Sequence, residues 1–224
     1  MLFNKIARKL FVRLGIEIQK VGNSIAKATL PKFANSPRNI VIELPRTIMS
    51  PDRIFLGDDV RLGPGSLLYP ITHYPTRWMQ HPAKKQPQQK FDPKITIGNR
   101  VTATSNLQLA AFDKITIEDD VLFASNINIT GGLHGYENAN VPYKYQKIFK
   151  VSPIIIKQGC WIGQNAVILP GVTIGELTIV GANSVVTKSI PDRCIAVGSP
   201  ARVIKKWDKN IQQWVSVTTV SSPT

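Results

Sequence analysis

The chain has 224 residues, 43% hydrophobic and 19% charged, which is a globular composition and not a disordered one. Its 28 Lys and Arg against 14 Asp and Glu give a formal charge of +14, which points to an anionic partner. Two cysteines are too few for a disulfide framework, Cys160 and Cys194 lack metal-ligand spacing, and no apolar run approaches the roughly 20 residues of a membrane span.

The first predicted element is a helix. Leu2, Phe3, Ile6, Leu10, Phe11 and Leu14 recur at helical three-to-four spacing, with Lys5, Arg8, Lys9 and Arg13 between them. Charge interrupts this segment throughout, so it does not read as a secretory signal. The expected setting is cytoplasmic. A basic amphipathic helix either lies on an anionic membrane surface or packs on the protein or a sister subunit. Residues 1–50 form this helical segment and its lead-in.

Next comes repetition. Leu56, Leu62 and Leu68 recur every six residues, as do Ile97, Ala103 and Leu109, and then Ile117, Phe123 and Ile129. The period is clearest from Ile156 to Pro191, as IKQGCW, IGQNAV, ILPGVT, IGELTI, VGANSV and VTKSIP. The first slot is always Ile or Val. The fifth holds Cys160, Ala166, Val172, Thr178, Ser184 and Ile190. First and fifth slots share parity, so in extended chain both face one side. Gly163, Gly171, Gly175 and Gly181 would weaken a helix here. Three hexads make one turn of a triangular coil, and about five turns are predicted over 51–191. No turn buries its apolar face alone, so the turns must stack.

Two stretches break the period: 70–94, rich in Pro, Gln and Lys, and 131–153, polar and tyrosine-rich. Insertions in a regular coil loop outward, and loops on a rigid scaffold commonly carry function. Residues 192–224 form a C-terminal extension, expected as a short helix or tail, with Arg202, Lys205 and Lys206 clustered in it. No helix-turn-helix, zinc-finger or RNP-type signature accompanies the charge, so nucleic acid is not expected as a partner.

The hexads, with ITGGLHGYEN, CWIGQNAVILPGVTIG, VGANSVVTKSIP and AVGSPARVIKKW, resemble the left-handed β-helix acyltransferases with hexapeptide repeats. The most similar branch is the O-acetyltransferases of bacterial surface polysaccharides, related to the maltose and galactoside acetyltransferases. The resemblance covers about residues 50–207. It implies a left-handed parallel β-helix, an exception to the usual crossover handedness. It also implies a homotrimer with active sites between subunits, acetyl-CoA lying along the coil, and direct acetyl transfer to a saccharide acceptor with no metal.

By the same resemblance one histidine is the general base, in the excursion that holds His134. A sugar hydroxyl ionises far above neutral pH, and an imidazole with an ordinary pKa of about 6.5 suits its deprotonation. The branch reads roughly DHNHGY where this chain has Gly131-Gly132-Leu133-His134-Gly135-Tyr136. The histidine is kept and its acidic neighbour is not. What orients the imidazole is therefore open between Glu137 and a backbone carbonyl.

Asn126 sits where relatives contact the acceptor hydroxyl, and equally where a coil corner favours Asn. Tyr136 and Glu137 are further acceptor-side residues. On the donor side, Gly163 and Ala182 would let the pantetheine arm approach. Thr187 and Lys188 match positions meeting the arm and nucleotide, and Arg202 and Lys205 those meeting phosphate. Trp161 would pack under the arm or at a subunit interface. Cys160 fills a small inward slot and reads as a buried thiol rather than a nucleophile.

An N-acetyltransferase of an amino sugar, or an antibiotic acetyltransferase, would use the same site. A γ-type carbonic anhydrase needs three facing histidines; His73, His81 and His134 match its count but not its spacing. A catalytically inactive scaffold is the remaining alternative.

Overall fold

The computed structural model describes residues 2–76, 79–83 and 86–217, with side chains described from residue 8 onward. Lys5, Leu2, Phe3 and Ile6 of the predicted amphipathic pattern thus have side chains outside the described set. The helix itself runs Leu2–Ala28. Among the described residues no helix is long and apolar enough to cross a membrane.

The hexads fold as a three-faced column, a left-handed parallel β-helix. The second face carries six strands, so the column has six turns. The first turn is Val41–Ile42, Thr47–Ile48 and Ile54–Leu56. The second is Arg61–Leu62, Leu67–Pro70 and Lys94–Ile97. The third is Thr102–Ala103, Leu107–Ala111 and Lys114–Ile117. The fourth is Leu122–Phe123, Ile127–Thr130 and Ile154–Ile156. Trp161–Ile162, Val167–Ile168 and Thr173–Ile174 make the fifth. Ile179–Val180 and Val185–Val186 begin the sixth, which closes through a bridge from Ile190 to Ile174.

Register explains the period. Down the first face, Ile42, Leu62, Ala103, Phe123, Ile162, Val180 and Ala196 stack inward in one row. All are at most 3% exposed. The large Phe123 sits beside the small Ala103, so volume is conserved within the row. The third face stacks Leu56, Ile97, Ile117, Ile156 and Ile174 in the same way. The fifth slots fill the remaining interior, and the polar ones are satisfied. Thr178 donates to the Pro191 carbonyl at 2.8 Å, and Ser184 Oγ accepts from Gly198 N–H at 3.1 Å.

The corner between the first and second faces needs left-handed backbone, and Asn106, Asn126, Asn165 and Asn183 supply it with φ of 51°, 61°, 60° and 58°. Their side chains form a ladder. Asn106 donates to Asn126 at 2.8 Å, Asn126 to Asn165 at 3.1 Å, and Asn165 to Asn183 at 2.9 Å.

Two boundaries differ from the sequence reading. The column starts at Val41, ahead of residue 51, and has six turns where about five were expected, because Val41–Ile42 and Thr47–Ile48 pair in register with the second turn. The C-terminal extension is strand, not helix. Cys194–Gly198 adds to the first face, Ala201–Asp208 turns back antiparallel upon it, and Gln213–Ser216 follows antiparallel. Trp207 and Trp214 meet edge-on across that last pair, with ring centroids 5.4 Å apart.

Candidate active site

Both period-breaking stretches leave the column at one corner, after a second-face strand, and return to a third-face strand. They leave from the second and fourth turns and so straddle the third. Each forms an arm with a short antiparallel ladder, His73–Tyr74 with Gln89–Lys90 in one and Leu133–His134 with Ile148–Phe149 in the other. The arms clasp each other. The Gln89 amide donates to the Ile148 carbonyl at 3.1 Å and accepts from the Ile148 N–H at 2.7 Å. Gln86 donates to the Tyr145 carbonyl at 2.6 Å, and the His81 and Tyr145 rings lie 4.7 Å apart. Ile71, Tyr74, Phe112 and Ile148 form an apolar cluster of their own beneath this clasp.

A cleft of about 430 Å³ opens between the arms and the third turn. Ile71, Met79, Ala110, Phe112 and Ile148 make most of its wall apolar, and Thr130, Tyr74 and His134 supply polar groups. Gly132 and Gly135 flank His134 for a packing reason. A Cβ on Gly132 would lie 2.7 Å from the Phe112 ring, and one on Gly135 2.7 Å from the Lys147 carbonyl.

His134 is exposed at the cleft, and its partner is Tyr74. Tyr74 Oη lies 3.2 Å from His134 Nδ1, with the rings edge-on and centroids 5.3 Å apart. Tyr74 is only 3% exposed and donates its hydroxyl proton to the Lys144 carbonyl. Burial pushes its phenol above the ordinary range, so it keeps that proton at neutral pH. With its proton committed, Oη can only accept from Nδ1–H. The network therefore gives Nδ1 the donor role and does not engage Nε2.

The other sequence-predicted residues fall in several places. Asn126 is a corner residue: both ends of its amide are engaged in the ladder, and it does not line the cleft. Glu137 is exposed outside the cleft lining, and the orienting contact to His134 comes from Tyr74 instead. Tyr136 packs edge-on against Phe149 at 5.3 Å, also outside the lining.

The close approach at Gly163 is to its own column. A Cβ there would lie 2.6 Å from the Ala182 amide nitrogen and 2.7 Å from the Val180 carbonyl. Ala182 is exposed at the same corner, and Thr187 and Lys188 follow the last second-face strand. Trp161 projects from the outer first face, in line with Ile179, Ile195 and Lys205. A bulge opposite Ile195/Ala196 brings Arg202 to the same side, opposite Val197. The donor-side residues thus divide between two faces of one column.

Cys160 is fully buried and donates its thiol to the Gly175 carbonyl at 2.9 Å. Burial pushes the thiol up to about 11, which suits a structural group and not a nucleophile. Among the described residues, no three His, Cys, Asp or Glu side chains converge as metal ligands. His73 meets Thr72 Oγ1, and His81 accepts from Ala83 N–H.

The column and its histidine-bearing arm define a left-handed β-helix protein of the hexapeptide-repeat class. Residues 153–188 match the family described as bacterial transferase hexapeptide (six repeats). The chain is similar to acetyltransferases with hexapeptide repeats. It is 34% identical over 127 residues to "Putative lipopolysaccharide biosynthesis O-acetyl transferase WbbJ" of Escherichia coli (strain K12), covering 54% of this chain and 64% of that one. It is 38% identical over 112 residues to the galactoside O-acetyltransferase of the same organism, covering 50% and 54%. The chain thus spans between about half and two thirds of these relatives' length. In fold it resembles AntD, an N-acyltransferase from Bacillus cereus solved with dTDP and 3-hydroxybutyryl-CoA, with TM-score 0.62, 24% identity, and 88% and 90% of the chains covered.

Proposed function

We propose that this protein transfers acetyl from acetyl-CoA directly to a sugar hydroxyl, with His134 as general base. The observation that carries the reading is the Tyr74–His134 contact, which engages Nδ1 and so orients the imidazole at the mouth of a cleft. Nε2 takes the hydroxyl proton as the sugar oxygen attacks the thioester carbonyl. The tetrahedral oxyanion then collapses, the carbon–sulfur bond breaks, and the CoA thiolate recovers the proton from the imidazolium. General base catalysis of this kind supplies about 10²–10⁴-fold. Tyr69 and Phe112 offer flat apolar surface for the face of a sugar ring.

The relatives' names support an O-linked acceptor, and the CoA-bound structural neighbour fits the proposed acyl donor. The acceptor class is a surface polysaccharide or its lipid- or nucleotide-linked precursor. The division of Trp161, Arg202 and Lys205 from Thr187 and Lys188 supports a homotrimer with its sites between subunits. Two faces of one column point apart, whereas the faces of neighbouring columns converge on a groove that one long donor can occupy. Use of acetyl-CoA places the reaction on the cytoplasmic side.

Thiol release from acetyl-CoA, measured against a panel of saccharides that includes amino sugars, tests the reading. Turnover with a hydroxyl acceptor is expected. Turnover confined to amino sugars would make the protein an N-acetyltransferase, and unchanged turnover in His134→Ala would remove His134 from the chemistry.

A further inference from the structure

We propose that the N-terminal helix is an interfacial anchor for an anionic lipid bilayer. The inference is independent of what the column catalyses. Leu10, Phe11, Leu14, Ile18, Val21 and Ile25 recur at three- and four-residue steps along Leu2–Ala28, and each is about half exposed or more, up to 70% for Phe11. Folding of the protomer therefore leaves this stripe uncovered.

The helix is held at its far end. Ala26 is buried, and Arg46 donates to the Ala26 carbonyl at 2.8 Å and to Thr29 Oγ1 at 2.9 Å. This arginine at the helix C-terminus also complements the macrodipole. Further along, a Cβ placed on Gly15 or Gly22 would meet nothing within 4 Å.

Charge selects the occupant. Arg8, Lys9, Arg13, Lys20 and Lys27 are set off from the apolar stripe around the helix, against one acid, Glu17, which pairs with Lys20 at 2.7 Å. A second copy of the helix would cover the stripe but bring like charges together, with no spare carboxylate on the helix to offset them. An anionic bilayer takes the stripe into its acyl boundary and the cations at its headgroups, so it satisfies both faces. The segment lies on the surface and does not span it.

Flotation of the full chain with phosphatidylcholine vesicles, with and without about a third phosphatidylglycerol, tests this. Binding is expected only to the anionic vesicles and should fall steeply as salt rises. The triple variant Arg8→Gln, Lys9→Gln, Arg13→Gln and the double variant Phe11→Ser, Ile18→Ser should each bind at least about tenfold more weakly. Acetyl transfer to a water-soluble acceptor should be unchanged in both. Wild-type protein that stays in solution with anionic vesicles at low salt, or floats regardless of lipid charge, overturns the proposal without any variant. A double variant with lower molar mass in solution and wild-type vesicle binding would assign the stripe to a second copy of the chain.

Discussion

Tyr74 and His134 stand 60 positions apart in sequence and touch at 3.2 Å, one on each arm, with the Lys144 carbonyl taking the tyrosine's proton. Tyr74→Phe keeps the buried ring and removes the oxygen that holds Nδ1–H. The expected result is a fall in kcat of about 10- to 100-fold with KM little changed, since the positioned base acts in the transition state. Tyr74→Trp, which also lacks the acceptor oxygen in that place, should not rescue kcat. A loss of kcat matched by a loss of thermal stability, with KM raised as much as kcat falls, would reduce Tyr74 to a packing residue.

Asn126 gives a second test, since its two readings make opposite forecasts. In the ladder it holds a left-handed corner with φ of 61°. Asn126→Ala should therefore destabilise the fold by about 1–2 kcal/mol through left-handed strain, and leave kcat/KM of the folded enzyme intact. Asn126→Gly should recover part of the loss, because glycine accepts that backbone. A large drop in kcat/KM with an unchanged melting temperature would return Asn126 to the acceptor site.

How much of this was legible in the sequence depends on the range of each interaction. The inward rows are a local rhythm repeated, so Ile156, Ile162, Ile168 and Ile174 announce the column by themselves. Ile42, Ile48 and Ile54 keep the six-residue step as well, but no glycine marks this first turn, and its place in the column rests on pairing to the second turn. In the C-terminal extension, the basic residues of Ala201–Asp208 conceal a strand whose inner side follows Val203 opposite Ala196. The recurrence of Asn at 106, 126, 165 and 183 did carry the ladder's signal. Tyr74 carried none: it becomes an orienting group only because two insertions from different turns fold against each other, and no local pattern encodes that encounter.

Gly163 separates column packing from donor binding. An added Cβ would press on the backbone of the sixth turn at 2.6 Å, which cannot yield as a flexible side chain would. Gly163→Ala should cost about 1–3 kcal/mol. In a chain of this size that lowers Tm by about 2–4 °C per kcal/mol. A raised KM for acetyl-CoA with an unchanged Tm would instead place Gly163 against the pantetheine arm.

Cys160 predicts a pH dependence with a definite sign. Its thiol is held neutral in the fold up to about 11, whereas in the unfolded chain it ionises near 8.5–9. Below that lower value both states are protonated and the group leaves stability unchanged. As pH rises from about 9 toward 11 the unfolded state alone loses its proton, so stability falls by up to about 2–3 kcal/mol. Cys160→Ala should flatten that part of the denaturant midpoint-versus-pH curve while retaining acetyl transfer. The native thiol should also resist alkylation at pH 8 until denaturant is added. Rapid labelling of the folded protein, or loss of turnover in Cys160→Ala without loss of stability, would reopen a covalent acyl-enzyme route.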